Sequence, residues 1–79
     1  MDNNQKFRSI VATILNIPEE RVTDELSPED IDTWDSLNQI NLVSALEQEF
    51  GVILTTDNLA EAQSIPKLRS LLAEQGVVF

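Results

Sequence analysis

Phe7, Ile10, Val11, Ile14 and Leu15 recur at the i, i+3, i+4, i+7, i+8 spacing of a single helical stripe, and Lys6, Arg8 and Ser9 lie off it. This predicts a first helix over about residues 3–15. Asn16 can close it in a left-handed conformation, and Ile17-Pro18 opposes continuation because the residue before proline avoids helical geometry. A second helix is expected over about residues 36–50. Projected at about 100° per residue, Ile40, Leu42, Val43, Leu46 and Phe50 gather on one side, opposite Asn38, Asn41, Ser44 and Gln48. Leu37 falls on the polar side. Gly51 stands where a left-handed terminating residue belongs. The start of this helix has two competing registers: Asp35 can cap the free amides, and Ser36 with Gln39 matches the capping-box pattern.

Val52-Ile53-Leu54 is too short to be told from a strand by pattern, but a lone strand would lack a pairing partner, so it reads as packed loop. Asp57 to Ala62 reads as a short third helix. Ser64 caps a last helix over about residues 65–75, with Pro66 in its first turn, Leu68, Leu71 and Leu72 as its buried stripe, and Gly76 at its end. Between the first two helices, residues 16–35 form an acidic connection. Ile17, Val22, Leu26 and Ile31 are spaced to pin it to the core as a long crossover. The expectation is all-α: a helix bundle with a long acidic first loop and a short third helix, forming one domain over residues 1–79.

Composition narrows the chemistry. At 79 residues the chain is near the size where one core only just outweighs conformational entropy. The apolar share of 42% permits a core, and an aromatic share of 5% means Leu, Ile and Val must build it. A net charge of -9 repels nucleic acid and anionic membranes, and attracts basic proteins if it attracts any partner. Without Cys or His the chain has no thiolate, no disulfide, and neither the commonest general base nor the commonest metal ligand. Self-contained catalysis is not expected. No signal-peptide pattern follows the polar start and no segment has membrane-spanning length, so a cytoplasmic monomer without membrane insertion is the default.

Spacing alone makes Ser36 a helix cap, since a hydroxyl without a neighbouring base is not a nucleophile by itself. Its position at the positive end of a helix dipole would nevertheless favour a phosphate ester. The segment Asp35-Ser36-Leu37, followed by Leu42-Val43, Ala45-Leu46 and Glu49-Phe50-Gly51-Val52, closely resembles the signature of the acyl carrier protein family. Ile17-Pro18-Glu19-Glu20-Arg21-Val22-Thr23 and Ser64-Ile65 also look like family counterparts, so the resemblance spans nearly the whole chain. It implies a four-helix bundle whose Ser36 hydroxyl receives 4'-phosphopantetheine from coenzyme A, delivered by a magnesium-dependent phosphopantetheinyl transferase. The carrier would catalyse nothing. The arm's thiol would hold acyl groups as thioesters for acyl-transfer and ketosynthase-type enzymes of fatty-acid-like or polyketide-like biosynthesis. The implied partner-recognition residues are Asp35, Leu37, Asn38, Asn41, Ser44, Glu47 and Gln48. Leu46, Leu59, Leu68 and Leu72 are implied candidates for an acyl pocket, and core packing is their other role.

The chain departs from the fatty-acid type at three places. Thr33-Trp34 replaces the usual Gly and small residue before the triplet, a form that looks more like discrete or polyketide-associated carriers. Trp34 is expected to cover the loop against the core. Asn38, Asn41, Ser44 and Gln48 take positions that are strongly acidic in that type, which suggests a specialised carrier with different partner enzymes. Ala62 stands where a larger apolar residue is common. Asp30-Ile31-Asp32-Thr33-Trp34-Asp35 resembles a calcium loop only superficially, because the sixth-position Gly is missing and Asn41 takes the place of the bidentate Glu; no metal site is expected. An aminoacyl or peptidyl carrier is the nearest alternative. A noncatalytic helical interaction module, with Ser36 as cap and Leu37 as docking residue, is the alternative from another class.

Overall fold

The computed structural model describes residues 2–54 and 64–79. Among these residues it is all-helical: α1 (Asn3–Leu15), a 3-10 turn (Glu19–Arg21), α2 (Ser36–Phe50) and α3 (Ile65–Glu74). The short helix expected from Asp57 to Ala62 lies outside the described residues, as do Leu59 and Ala62. The last of the four expected helices is therefore α3.

Each helix begins and ends for a local reason. The Asp2 carboxylate accepts from the Gln5 N–H at 2.8 Å and starts α1, a cap that the hydrophobic pattern does not reveal. Asn16 closes α1 in the left-handed region, with φ 56° and ψ 50°. Gly51 closes α2 at φ 65°, where a Cβ would be strained. Ser64 starts α3 by accepting from the Lys67 N–H at 3.2 Å.

The core is aliphatic with one phenylalanine at one end and Trp34 among its members. Phe7, Val11 and Leu15 of α1, Leu42 and Leu46 of α2, and Ile65, Leu68 and Leu72 of α3 are all fully buried. Burial of each such side chain contributes about 1.5–3 kcal/mol. The acidic connection is fastened to this core as its apolar spacing predicts: Val22 and Leu26 are buried, and Ile17 and Ile31 are half-buried against it. The 3-10 turn at its start was not anticipated; the turn packs against α1, where Arg8 Nη2 donates to Glu19 O at 2.9 Å. Across the bundle, the Arg69 guanidinium donates to Asp24 and Asn4 and lies over the Phe7 ring at 5.3 Å, joining the connection, α1 and α3.

Two apolar residues sit differently from expectation. Ile40 is 53% exposed because the buried stripe of α2 runs through Gln39, Leu42, Val43 and Leu46, itself an i, i+3, i+4, i+7 series. Ile40 lies off that stripe, and a glutamine occupies the inward position. In the loop after α2, Leu54 is buried and Val52 half-buried, but Ile53 between them is exposed, as alternation in an extended segment dictates.

Candidate functional site

The end of the acidic connection is tied down by hydrogen bonds immediately before α2 begins. Thr33 Oγ1 donates to the Leu15 carbonyl at 2.6 Å, fixing the incoming chain to the last residue of α1. Asn38 Nδ2 donates back to the Thr33 carbonyl at 2.7 Å. Trp34 covers the core as expected, and its indole N–H donates to Gln39 Oε1 at 2.7 Å. These bonds leave little freedom in the residues between them.

The competition between helix starts is decided for Asp35. Its backbone is extended (φ -104°, ψ -176°), its carboxylate accepts from the Asn38 N–H at 2.8 Å, and its carbonyl accepts from the Gln39 N–H at 2.9 Å. Ser36 is therefore the first residue inside the helix rather than its cap. It is exposed, and no hydrogen bond among the described residues occupies its hydroxyl. The N–H groups of Ser36 and Leu37 have no intrahelical acceptor, so the hydroxyl stands beside free amides at the positive end of a helix dipole. That environment suits a dianionic or monoanionic phosphate ester.

Leu37 follows at 67% exposure, an apolar side chain in open solvent next to Ser36. Asn41, Ser44 and Gln48 continue the same outward face and are exposed; Asn38 is half-buried, held by Thr33 and accepting from Asn41 Nδ2 at 3.2 Å. The face carries no charge in a chain of net charge -9. Glu47, grouped with this face from sequence, is half-buried, and its carboxylate accepts from the Leu54 N–H at 2.9 Å. Its observed work is to hold the loop after α2. Leu46, Leu68 and Leu72 are all fully buried in the core.

Gln39 and Thr33 are the residues that sequence reasoning missed. The signal for Gln39 was present: an indole placed at the core needs an acceptor, and Gln39 is five residues on, in register with Leu42, Val43 and Leu46.

Residues 5–72 match the family described as "Phosphopantetheine attachment site". The chain is 32% identical over 72 residues to the acyl carrier protein of Petrotoga mobilis, covering 90% of this chain and 84% of that relative. The chain belongs to the acyl carrier protein family. It is also 36% identical over 69 residues to the acyl carrier protein of Thermosynechococcus vestitus, covering 86% and 80% of the two chains. Members of the acyl carrier protein family are carriers, and their prosthetic group is a covalently attached 4'-phosphopantetheine. When bound, that group supplies a terminal thiol, which explains how an acyl carrier protein without a single Cys holds acyl groups as thioesters. The exposed, unengaged hydroxyl at the start of α2 fits such a group on its own chemistry. No helix of the described residues is long and apolar enough to cross a membrane.

Proposed function

We propose that Ser36 Oγ is the attachment point of the 4'-phosphopantetheine arm, and that the protein carries acyl thioesters for fatty-acid-like or polyketide-like synthesis. The observation that carries this reading is the state of Ser36: exposed, first in α2, its hydroxyl unengaged beside free amides, within the residues 5–72 that match the family. In loading, the hydroxyl oxygen attacks the coenzyme A phosphorus that bears the pantetheine. The pyrophosphate P–O bond breaks, the nucleotide bisphosphate leaves, and the hydroxyl proton passes to the transferase. Ser36 supplies the nucleophile, and the amides of the first turn stabilise the phosphodiester left on it.

The test is mass spectrometry after incubation with coenzyme A, magnesium and a broad-specificity phosphopantetheinyl transferase. One phosphopantetheinyl group is expected on the parent chain and none on Ser36→Ala; no gain, or a gain that persists in Ser36→Ala, overturns the assignment.

The same reading assigns partner contact to Asp35, Leu37, Asn38, Asn41, Ser44, Glu47 and Gln48, with Glu47 also holding the Leu54 N–H. Leu46, Leu68 and Leu72 of the core are the side chains assigned to part around an acyl chain, and Leu59, outside the described residues, is assigned with them. Four helices in one cytoplasmic, monomeric domain complete it. The uncharged outer face of α2 favours partners that dock through apolar and amide contact, because charge there cannot steer them. Turnover by the host's main ketosynthase is expected to fall below that seen with the host's main carrier; equal turnover would sink this specialisation.

A further inference from the structure

Asn38 Nδ2 donates to the Thr33 carbonyl at 2.7 Å, and Asn38 Oδ1 accepts from Asn41 Nδ2 at 3.2 Å. Its backbone N–H donates to the Asp35 carboxylate at 2.8 Å. One half-buried side chain thus reaches back past Trp34, Asp35 and Ser36 to the connection, and forward along α2 to Asn41. Thr33 is in turn fixed to α1, because its Oγ1 donates to the Leu15 carbonyl at 2.6 Å. A continuous path of hydrogen bonds therefore runs from the end of α1 into α2, spanning Ser36 without using its hydroxyl. The link requires an amide, since a carboxylate of the same shape could accept from Asn41 but could not donate to Thr33.

We propose that Asn38 is a positioning residue for phosphopantetheine transfer: its side chain tethers Thr33 to α2 and so holds the backbone around Ser36 in the conformation the transferase takes. The proposal rests on Ser36 being the attachment point, and it gives Asn38 an internal role beside contact with a partner. Without the tether, the stretch leading into Ser36 samples further conformations that do not present the hydroxyl. A smaller competent fraction lowers apparent affinity, so it appears as a higher KM with kcat little changed.

Steady-state loading of the full chain, with coenzyme A as donor, separates this role from packing. Asn38→Asp keeps the shape of the side chain but removes the donor and turns an acceptor toward the Thr33 carbonyl. KM for the carrier is expected to rise about fivefold, the effect of one net hydrogen bond, with kcat near the parent's. A carboxylate is favourable in the first turn of a helix, so the unfolding midpoint is not expected to fall in step. Asn38→Ala, which adds no charge, is expected to raise KM by a similar factor. Val11→Ala, a core variant outside the site, loses stability but loads with the parent's KM wherever it is folded. An ester in place of the amide between Thr33 and Trp34, introduced by chemical synthesis, weakens the Thr33 carbonyl as an acceptor and leaves every side chain in place. KM should then rise about threefold, which loss of direct contact between Asn38 and the transferase would not give. A KM at or below the parent's in either Asn38 variant or in the ester chain overturns the tether, as does an equal rise in Val11→Ala. Backbone order parameters of Asp35 and Ser36 read the tether without any transferase: near the rigid value of about 0.85 in the parent, and lower in Asn38→Ala. Unchanged order parameters also overturn it. Persistent loading of Ser36→Ala would instead overturn the attachment point and leave the order parameters to decide the tether.

Discussion

The two ends of α2 are built from different forces. At the Ser36 end, four hydrogen bonds involving Thr33, Trp34, Asp35 and Asn38 hold the chain, and the residues that matter for chemistry stay exposed. At the Phe50 end, ring contacts dominate: Phe79 lies edge-on to Phe7 at 5.7 Å and to Phe50 at 6.2 Å between centroids. Lys6 and Glu49 approach there only to 3.9 Å across the surface. Hydrogen bonds are directional and individually modest in net stability, so they suit a place where one hydroxyl must be presented one way. Apolar burial is non-directional and large, so it suits the end whose task is to hold the helices together.

That division is broken first by removing the aromatic closure. Phe7 is fully buried, touches Phe79 and lies under the Arg69 guanidinium, so Phe7→Ala removes packing, a ring contact and a cation–π contact at once. A loss of about 3–5 kcal/mol is expected in urea or thermal unfolding, most of the margin of a small domain. If the two ends differ as described, the variant loads at the parent rate wherever it is still folded. A loss below about 1 kcal/mol would mean that the Phe50 end is not where stability is concentrated.

Thr33→Val cuts at the other end. It keeps the shape of the side chain and removes the hydroxyl that bonds to the Leu15 carbonyl, a contact that is part-buried and spans the whole connection. About 1 kcal/mol of stability should be lost, and loading of Ser36 should slow in greater proportion than for any core variant of equal stability. Equal slowing in both would erase the distinction between a presenting end and a holding end.

How far the sequence disclosed these ends follows from the same forces. Apolar periodicity places α1 and α2 at their observed bounds, because burial has a helical period that residue types report directly. The Phe50 end was visible only as helix termination by Gly51. Contacts between Phe7, Phe50 and Phe79 join residues far apart in the chain and leave no local pattern. At the Ser36 end, Asp35 and Ser36 were legible as rival caps, but local pattern could not rank them. The deciding bond is the one the Asp35 carboxylate accepts from the Asn38 N–H, and in the same turn lies Gln39, a residue whose polarity argues for the surface while its spacing argues for the core. Ile40 is the mirror error, apolar by type and exposed by position. Type and spacing disagree at these two adjacent residues, and the buried Gln39 meets the indole donor five positions upstream.

The smallest expected stability change belongs to Leu37→Ala, and it sharpens the comparison most. Leu37 adjoins the hydrogen bonds made by Thr33, Trp34, Asp35 and Asn38 yet is 67% exposed and lies outside the core. Truncating it should change stability by no more than about 0.5 kcal/mol, as for an ordinary surface site. If the Ser36 end presents rather than holds, the same change must appear in encounters with enzymes, since an apolar side chain in open solvent can be buried only by a partner. The KM for loading by the transferase should rise several-fold while the unfolding midpoint stays put. Because Leu37 itself is apolar, the rise caused by its truncation should be nearly the same at low and high salt, where the loss of a charge-steered contact would fade. A stability loss above about 1 kcal/mol would instead place Leu37 with the residues that hold the fold. The two ends of α2 would then differ in degree and not in kind.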